Sequence, residues 1–287
     1  MKIPKKIQPL IDDGIIDEVV RQLMSGKEAS VYVVRCGNEI RCAKVYKDAL
    51  KRSFKKAVQY QEGRKVRNSR RARAMEKGSR FGRAEQEEIW QNAEVDALYR
   101  LAAAGVRVPQ PYGCFDGVLL MELVTDEEGV VAPRLNDVSM SEEQAIEDHA
   151  VMMHYVKLML CAGLVHGDLS EFNVLVDDYG PVIIDLPQAV FAAANNNAQK
   201  MLERDVQNMT VYYAQFAPDL LNTRYAQEIW SLFEEGDLHS DYELTGQYLG
   251  DTELADVDSL LEDIEAVKRE EEEAQAKKHD SEDDEYQ

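Results

Sequence analysis

The chain has 287 residues, of which 45% are hydrophobic and 30% are charged, so it can bury a sizeable core beneath a heavily solvated surface. Its 33 Lys and Arg residues stand against 54 Asp and Glu residues, which gives a formal net charge of −21 at pH 7. This balance argues against general binding of nucleic acid or of a membrane surface by the whole chain. The sequence has no run of about 18 apolar residues, no apolar signal-peptide segment and no CxxC pair, so we expect a soluble, cytoplasmic protein with reduced thiols.

The N-terminal half reads as strands with one long helix. A short helix is expected over residues 5–13, before Gly14, and two paired strands are expected on either side of the turn at 36–38. A helix is expected from Ala84 to Ala104, and a hairpin is expected at Asp116-Gly117, between strands 112–115 and 118–124.

The second half reads as mainly helical. A long amphipathic helix is expected from Met140 to Cys161, with Ser139 or Ser141 as its N-cap. Two short strands, 174–176 and 182–184, are expected to join through a turn at 177–180. Further helices are expected over 198–216, over 224–235 and, within the polar end of the chain, over about 253–276.

Charge is distributed unevenly along the chain. Residues 47–83 hold 14 Lys or Arg and 3 Asp or Glu, which indicates a basic, flexible insert at about 48–83. Residues 235–287 hold 20 acidic and 4 basic residues, which indicates an acidic tail that is partly helical or disordered. The insert is either a solvated charge run or a docking element for RNA or for an acidic segment, and the tail itself is one such segment.

Lys44 and Glu94 are expected to form an ion pair. Glu94 lies one helical turn from both Trp90 and Leu98, so its carboxylate shares the inward face of the helix. A buried carboxylate is costly unless a basic group meets it, and Lys44 lies in a strand whose alternation places it on one face of the sheet. The pair would aim the Lys44 ammonium at nucleotide phosphates.

The segment Leu164–Val176 and the strand after it carry the residue types of phosphoryl transfer. Asp168 is followed five residues later by Asn173, and Asp185 comes at the end of an apolar strand. One carboxylate orients the attacking hydroxyl, while an amide oxygen and a second carboxylate hold Mg²⁺ on the phosphates. Each residue alone has an ordinary structural explanation, but the joint spacing favours the chemical one. His166 is expected to pack and hydrogen-bond beneath the loop.

This combination of residues is the arrangement of a protein kinase, but several features differ from those of an ordinary protein kinase. The phosphate-covering segment Ser25–Tyr32 has one glycine, so its hydroxyls and Lys27 would contact phosphates where a glycine-rich loop uses backbone amides. Leu-Pro-Gln follows Asp185, and about a dozen residues separate Asp185 from the next helix. That distance leaves no room for an activation segment or for peptide-docking helices.

Five motifs resemble those of the RIO family of atypical serine/threonine protein kinases. They are SGKEASVY (25–32), AKVYK (43–47), LVHGDLSEFNVLV (164–176), IIDLPQAV (183–190) and ERDVQNM (203–209). The likeness is to the first RIO subfamily and, in the tail, to its prokaryotic members. It implies an α+β, two-lobed kinase fold with an extra N-terminal helix, an antiparallel N-lobe sheet with one long helix and a mainly helical C-lobe. The expected divisions are an N-lobe over 1–124, a C-lobe over 125–235 and the tail over 236–287.

The resemblance also implies a role for each matching residue. Asp168 and Lys44 would be catalytic, Lys44 binding the ATP phosphates with Glu94 as its partner, and Asn173 and Asp185 would hold Mg²⁺ or Mn²⁺. The remaining nucleotide contacts would be a phosphate loop and a hinge that binds adenine through its backbone. These comprise Ser25, Lys27 and Ser30 in the loop, and Met121, Glu122 and Leu123 in the hinge.

The expected activity is Mg-ATP-dependent phosphoryl transfer to protein serine, including autophosphorylation, or ATP hydrolysis linked to ribosomal or other RNA–protein particles. Two alternatives stay open. A small-molecule kinase of the aminoglycoside or choline type also uses an HGD loop, a following Asn and a strand-end Asp. An ATP-gated ribonucleoprotein-binding factor would use nucleotide to set its conformation, with little turnover.

Overall fold

The structure is a computed structural model that describes residues 3–26, 29–47 and 93–248. Lys27, the basic insert, the first part of the helix expected from Ala84 and the helix expected at about 253–276 lie outside the described residues. The chain divides into two compact units, Met1–Gly246 and Gln247–Gln287. The lobe and tail boundaries expected at 124 and 235 stay predictions.

Five antiparallel strands form the N-lobe sheet, in the order β1-β2-β3-β5-β4. They are β1 (Glu18–Ser25), β2 (Ala29–Cys36), β3 (Glu39–Tyr46), β4 (Pro111–Phe115) and β5 (Val118–Glu122). The β4–β5 connection is the predicted hairpin, in which Asp116 and Gly117 both have positive φ, 44° and 80°. Positive φ at both central residues matches the right-handed twist of the strands, which explains the Asp-Gly sequence.

The alternation of β3 gives the sheet two different faces. Ala43 and Val45 pack in a buried cluster with Ile7 and Leu10, beside the short helix α1 (Gln8–Asp12). Lys44 and its neighbour Tyr46 point to the opposite face, because successive side chains of a strand alternate. That face meets the helix α2, which occupies 93–103 of the described residues and buries Leu98 and Leu101.

Three helices build the C-lobe core: α3 (Glu142–Cys161), α4 (Ala198–Tyr213) and α5 (Tyr225–Glu235). Ser141 is the N-cap of α3 and accepts a hydrogen bond from the Gln144 backbone N–H at 3.2 Å, which selects it over Ser139. In the described part of the chain, no helix is long and apolar enough to cross a membrane. The predicted α+β fold, with an antiparallel N-lobe sheet and a helical C-lobe, is confirmed.

Two small antiparallel pairs frame the loops of the C-lobe. The predicted hairpin is present as β7 (Val174–Asp177) and β8 (Gly180–Ile183). The other pair, β6 (Leu164–Val165) with β9 (Val190–Phe191), was not predicted, because two-residue strands are too short to show alternation. Between them these four strands hold both ends of the 166–173 loop.

The segment that follows α5 packs against the C-lobe helices. Lys157 of α3 is 2% exposed, and its ammonium donates to the carbonyl oxygens of Ser240 and Tyr242 at 2.6 Å each. Glu228 of α5 accepts hydrogen bonds from the backbone N–H groups of Thr245 and Gly246 at 2.8 and 2.7 Å. The first part of the predicted tail is therefore integrated with α3 and α5.

Candidate active site

The Lys44 ammonium lies between two carboxylates that come from different elements. Its Nζ is 2.6 Å from Glu94 Oε1 on α2 and 2.8 Å from Asp185 Oδ1, which follows β8. The Lys44 side chain is 11% exposed and that of Glu94 is 5% exposed, whereas that of Asp185 is 47% exposed. The predicted contact between Lys44 and Glu94 is thus present, and Asp185 joins it from 141 residues along the chain.

Electrostatics favour the charged forms of Lys44 and Asp185. Burial disfavours the charged form of Lys44, but the adjacent Glu94 and Asp185 carboxylates outweigh burial and raise its pKa. The Lys44 ammonium in turn lowers the pKa of Asp185. Tyr46, on the same face of β3, donates its hydroxyl to Glu94 Oε2 at 2.5 Å, and burial together with that carboxylate raises the pKa of the phenol. Tyr46 was not singled out from the sequence, although its i+2 spacing from Lys44 is a usable signal.

Asp168 lies at the exposed tip of the 166–173 loop. Its own backbone carbonyl accepts a hydrogen bond from Asn173 Nδ2 at 2.8 Å, which closes the loop on itself. Its carboxylate Oδ2 is 3.5 Å from Gln188 Nε2. The carboxylate therefore stands at the surface on a backbone that is held from below.

His166 supplies part of that support and is 2% exposed, as expected for a residue that packs beneath the loop. Its Nδ1 accepts the Asp168 backbone N–H at 3.3 Å, and its Nε2 lies 3.1 Å from the Ile184 carbonyl oxygen. These two partners require the neutral tautomer with a proton on Nε2, and burial lowers the pKa of the ring. The Ile184 N–H donates to the Asn173 carbonyl at 2.9 Å, so His166 and Asn173 both hold the residue before Asp185.

Asp185 differs from the strand-end residue that the sequence predicts. β8 ends at Ile183, and Asp185 adopts a left-handed backbone with φ +64°. A non-glycine residue in that region costs of order 1–3 kcal/mol and persists only where its surroundings fix it. The left-handed turn takes Asp185 out of the strand and carries its carboxylate to Lys44.

Asp205 of α4 is a further residue of the site whose role sequence reasoning missed. It is 2% exposed, and its carboxylate accepts the backbone N–H groups of Gly167 at 2.7 Å and Leu169 at 3.0 Å. Burial raises its pKa to about 7, against the opposing effect of these two N–H groups. Asp205 thus holds the backbone on both sides of Asp168. Its position one turn from Met201 and Met209, on an apolar helix face, is the signal that could have found it.

Lys47 organises the segment expected to cover the phosphates. Its ammonium donates to the Gly26 carbonyl at 2.6 Å and to Ser25 Oγ at 3.0 Å, and Ser25 Oγ is 3.1 Å from Ser30 Oγ. The two predicted serines are therefore adjacent, while Lys27 lies outside the described residues. Lys47, which was not among the predicted site residues, occupies a lone pair of Ser25 and so favours the serine hydroxyl as a donor.

The predicted hinge, Met121 to Leu123, lies at the end of β5, and the side chain of Glu122 is engaged elsewhere. The Arg107 guanidinium binds both Glu122 carboxylate oxygens, at 2.8 and 2.7 Å, and also Asp177 Oδ2 at 2.9 Å. The Asp177 side chain is 2% exposed. Arg107 therefore ties Glu122 to the β7–β8 hairpin of the C-lobe, and adenine binding by the backbone of the predicted hinge stays a prediction.

The residues expected to hold a metal ion fit one. Asn173 uses its amide nitrogen on the Asp168 carbonyl, which leaves the amide oxygen as an acceptor. Asp185 uses Oδ1 on Lys44 and has a second carboxylate oxygen on a side chain that is 47% exposed. Amide and carboxylate oxygens are the donors that Mg²⁺ prefers, and Mg²⁺ commonly takes one or two protein ligands beside water and phosphate.

Comparison with known proteins gives a consistent set of relatives. The RIO domain family matches residues 30–226. The RIO-type serine/threonine-protein kinase Rio1 of Haloferax volcanii is 35% identical over 217 residues, which cover 74% of this chain and 69% of that protein. The human serine/threonine-protein kinase RIO1 is 30% identical over 217 residues, 75% of this chain and 36% of that protein. The Caenorhabditis elegans serine/threonine-protein kinase RIO3 is 30% identical over 247 residues, 83% of this chain and 44% of that protein. The chain thus spans less than half the length of these two eukaryotic relatives.

Proposed function

The chain belongs to the RIO family of serine/threonine kinases, and on that premise we propose that it transfers the γ-phosphoryl group of Mg-ATP to protein serine, itself included, or to water. The observation that carries the proposal is the position of the Lys44 ammonium, 2.6 Å from Glu94 and 2.8 Å from Asp185. Strand β3, helix α2 and the segment after β8 are distant in sequence, yet they bring together a cation and a carboxylate that could bind a metal ion. Phosphoryl transfer needs both groups.

Lys44 would bind the phosphates of ATP. Glu94, which also accepts from the Tyr46 hydroxyl, holds it from the buried side, and its raised pKa keeps it cationic throughout the neutral range. A nucleotide would compete with Asp185 for the ammonium, because the Asp185 side chain is the exposed one of the two carboxylates. The Lys44 charge would then neutralise phosphate rather than carboxylate.

Asp168 would orient the attacking hydroxyl and accept its proton. Its carboxylate stands exposed at the loop tip, where an acceptor serine or a water can reach it. His166, Asn173 and Asp205 fix the backbone beneath it through the hydrogen bonds given above. A rigid backbone limits the positions of the carboxylate, which is the main protein contribution to such a reaction.

Asn173 and Asp185 would hold Mg²⁺, or Mn²⁺ in its place, through the two oxygens that the structure leaves available. When bound, the ion supplies neutralisation of the charge that develops on the transferred phosphoryl group. Ser25 and Ser30 would donate hydrogen bonds from their hydroxyl groups to the phosphates, and Lys47 would set the orientation of the Ser25 hydroxyl. Lys27 is proposed to join them, and the backbone of Met121, Glu122 and Leu123 is proposed to bind adenine.

The test of this proposal is phosphate release and phosphoryl transfer to a casein-like protein, with two variants that fail in different ways. Asp168→Asn should lower turnover by roughly 10²–10⁴ with little loss of ATP affinity, since it removes the proton acceptor alone. Asp185→Ala should instead abolish Mg²⁺-dependent ATP binding. Asp219→Asn, an exposed aspartate of the C-lobe, is the matched control and should leave both quantities unchanged. Small and equal effects of the first two variants would contradict the assignment.

The same assay separates the alternative activities. Amino sugars and choline, offered as acceptors beside the protein, would reveal a small-molecule kinase. Turnover below about once per minute, far under the ~1–100 s⁻¹ of typical kinases, would favour an ATP-gated binding factor. The result expected here is turnover above about once per minute, with labelled protein or released phosphate as the product and no labelled small molecule.

A ribosomal or other RNA–protein particle is the proposed partner, and the basic insert at 48–83 is the proposed contact. The support is the content of residues 47–83, which hold 14 Lys or Arg and 3 acidic residues in a chain whose overall charge is −21. The acidic tail would mask the insert in the free protein. The truncation that tests masking should end at residue 248, because the segment up to Gly246 packs on α5. RNA affinity and ATP turnover that are both unchanged by this truncation would contradict masking.

A further inference from the structure

Arg134 extends from the C-lobe toward the strand that leads into the phosphate-covering segment. It stands immediately before the 3₁₀ turn Leu135–Asp137, and its backbone forms a β-bridge with Leu175 of β7. Its guanidinium Nη2 lies 3.8 Å from Sδ of Met24, which precedes Ser25 on β1. The side chain therefore reaches from beside the β7–β8 hairpin of the C-lobe to β1 of the N-lobe sheet.

Arg134 differs from Lys44 and Arg107 in its partners. Lys44 and Arg107 each bind two carboxylates. Within residues 3–26, 29–47 and 93–248, no carboxylate lies within ion-pair distance of the Arg134 guanidinium, and its side-chain contact is a thioether. A thioether is a weak acceptor for a group with five N–H donors, so most donors of this partly exposed guanidinium have no protein acceptor among the described residues and remain accessible to a ligand.

The surroundings of Arg134 indicate what would use these donors. Met24, whose sulfur the guanidinium contacts, pairs across the sheet with Val31, and Val31 pairs with Lys44. Directly paired residues share a face, so Met24 lies on the same face of the sheet as Lys44. Arg134 therefore reaches the face that carries the proposed phosphate-binding cation. Guanidinium groups bind phosphate oxygens through parallel, charge-assisted hydrogen bonds.

We propose that Arg134 binds the phosphate chain of ATP from the C-lobe, as a cation that acts together with Lys44 of the N-lobe sheet. The inference rests on the proposed nucleotide site and adds a residue to it. Its role is in binding, so it is expected to lower the Kd and KM for ATP and to leave kcat nearly unchanged.

The test measures the affinities of ATP, ADP and adenosine, with Mg²⁺, for the wild type and for Arg134→Met and Arg134→Lys. Met keeps the length and removes all donors, and it should weaken ATP binding by about 10- to 100-fold, the effect of losing hydrogen bonds to a charged ligand. Adenosine affinity should change by less than about twofold. Lys should restore part of the ATP affinity because it keeps the charge without the planar fork. Arg35→Met, at an exposed arginine of β2 paired with Glu18, is the matched control.

Each other outcome overturns the assignment in a recognisable way. Equal losses for ATP and adenosine would mean that Arg134 supports the pocket as a whole, and unchanged ATP binding would exclude any contact. A loss that disappears with 2′-deoxy-ATP would place the guanidinium on the ribose hydroxyl. An altered KM for an acidic protein substrate, with ATP affinity intact, would place it on the acceptor. Failure of the wild type to bind any nucleotide would instead refute the proposed function itself.

Discussion

Replacing Glu94 with glutamine is the sharpest perturbation of the Lys44 site. Glu94 is 4% exposed and accepts from Lys44 Nζ at 2.6 Å and from the Tyr46 hydroxyl at 2.5 Å. Glutamine has nearly the same volume and keeps one acceptor oxygen, so the change removes the charge with little change in packing. Lys44 would then have Asp185 as its one carboxylate partner.

The size of the effect follows from the geometry. At 2.6 Å and an effective dielectric constant of about 20, the Coulomb attraction between Lys44 and Glu94 is at most about 6 kcal/mol. Removing one partner of a buried pair costs about 3–5 kcal/mol. The amide oxygen still accepts a hydrogen bond and Asp185 still pairs at 2.8 Å, so we expect the low end, about 3 kcal/mol. If this whole free energy is lost from transition-state stabilisation, kcat/KM for ATP falls about 150-fold.

The assay is initial-rate phosphate release at pH 7.5, with the thermal unfolding midpoint measured in parallel. Asp96→Asn is the matched control, since Asp96 is exposed on the same helix, and its kcat/KM should stay within about twofold. Tyr46→Phe removes the hydroxyl donor to Glu94 and should cost about 1 kcal/mol, or roughly fivefold. A loss below about fivefold for Glu94→Gln, in a variant that stays folded, would refute the view that this pair positions Lys44.

Three further predictions concern the support of the site. Asp205→Asn leaves the N–H of Gly167 or of Leu169 unpaired, because the amide has one acceptor oxygen in place of two. We expect the free energy of unfolding to fall by about 2 kcal/mol, which lowers the thermal midpoint by about 4–8 °C. Turnover should fall more than ATP affinity. An unchanged midpoint would contradict the view that Asp205 holds the backbone on both sides of Asp168. Burial lowers the pKa of His149 to about 4, so below the usual value near 6.5 the unfolded chain binds a proton that the folded chain does not. Between pH 7.5 and 5.5 the wild type should therefore lose about 1.4 kcal/mol more stability than His149→Asn in urea unfolding, and parallel pH profiles would disprove this. Arg107→Lys keeps the positive charge but loses the planar guanidinium that binds Glu122 and Asp177 together. The KM for ATP should rise about tenfold, and kcat should stay within about twofold of the wild type. Equal changes in KM and kcat would point to a defect other than the position of the hinge.

Local signals carried the prediction of the N-lobe part of the site. Lys44 and Glu94 could be paired from the sequence because strand alternation and helical periodicity each assign a side chain to a face. An inward carboxylate on an apolar helix face requires a cation, and the neighbouring strand provides one. The Asp116-Gly117 hairpin was equally local, since two residues with positive φ determine it.

Motif spacing singled out the 166–173 loop as the proposed catalytic loop, but it did not predict the contacts that support this loop. Asp168 and Asn173 are five residues apart, so their hydrogen bond closes within one loop. The hydrogen bonds from Gly167 and Leu169 to Asp205 join residues 36 to 38 positions apart, and the contact of Arg134 with Met24 joins residues 110 positions apart. Periodicity places Asp205 on a buried face, yet it does not identify the N–H groups that the carboxylate meets there.

By itself, the amino-acid sequence determined the longer helices and strands, the faces on which their side chains lie and the residue types proposed for ATP chemistry, because all of these depend on short-range backbone geometry and side-chain type. Only the tertiary structure decided that Asp185 leaves its strand through a left-handed residue to reach Lys44, and that Arg134 stands near the cleft without a carboxylate partner among the described residues. The physical reason is that such contacts arise from the packing of segments far apart in the chain. Packing sets the distances between charges, and those distances determine their pairing and their pKa values.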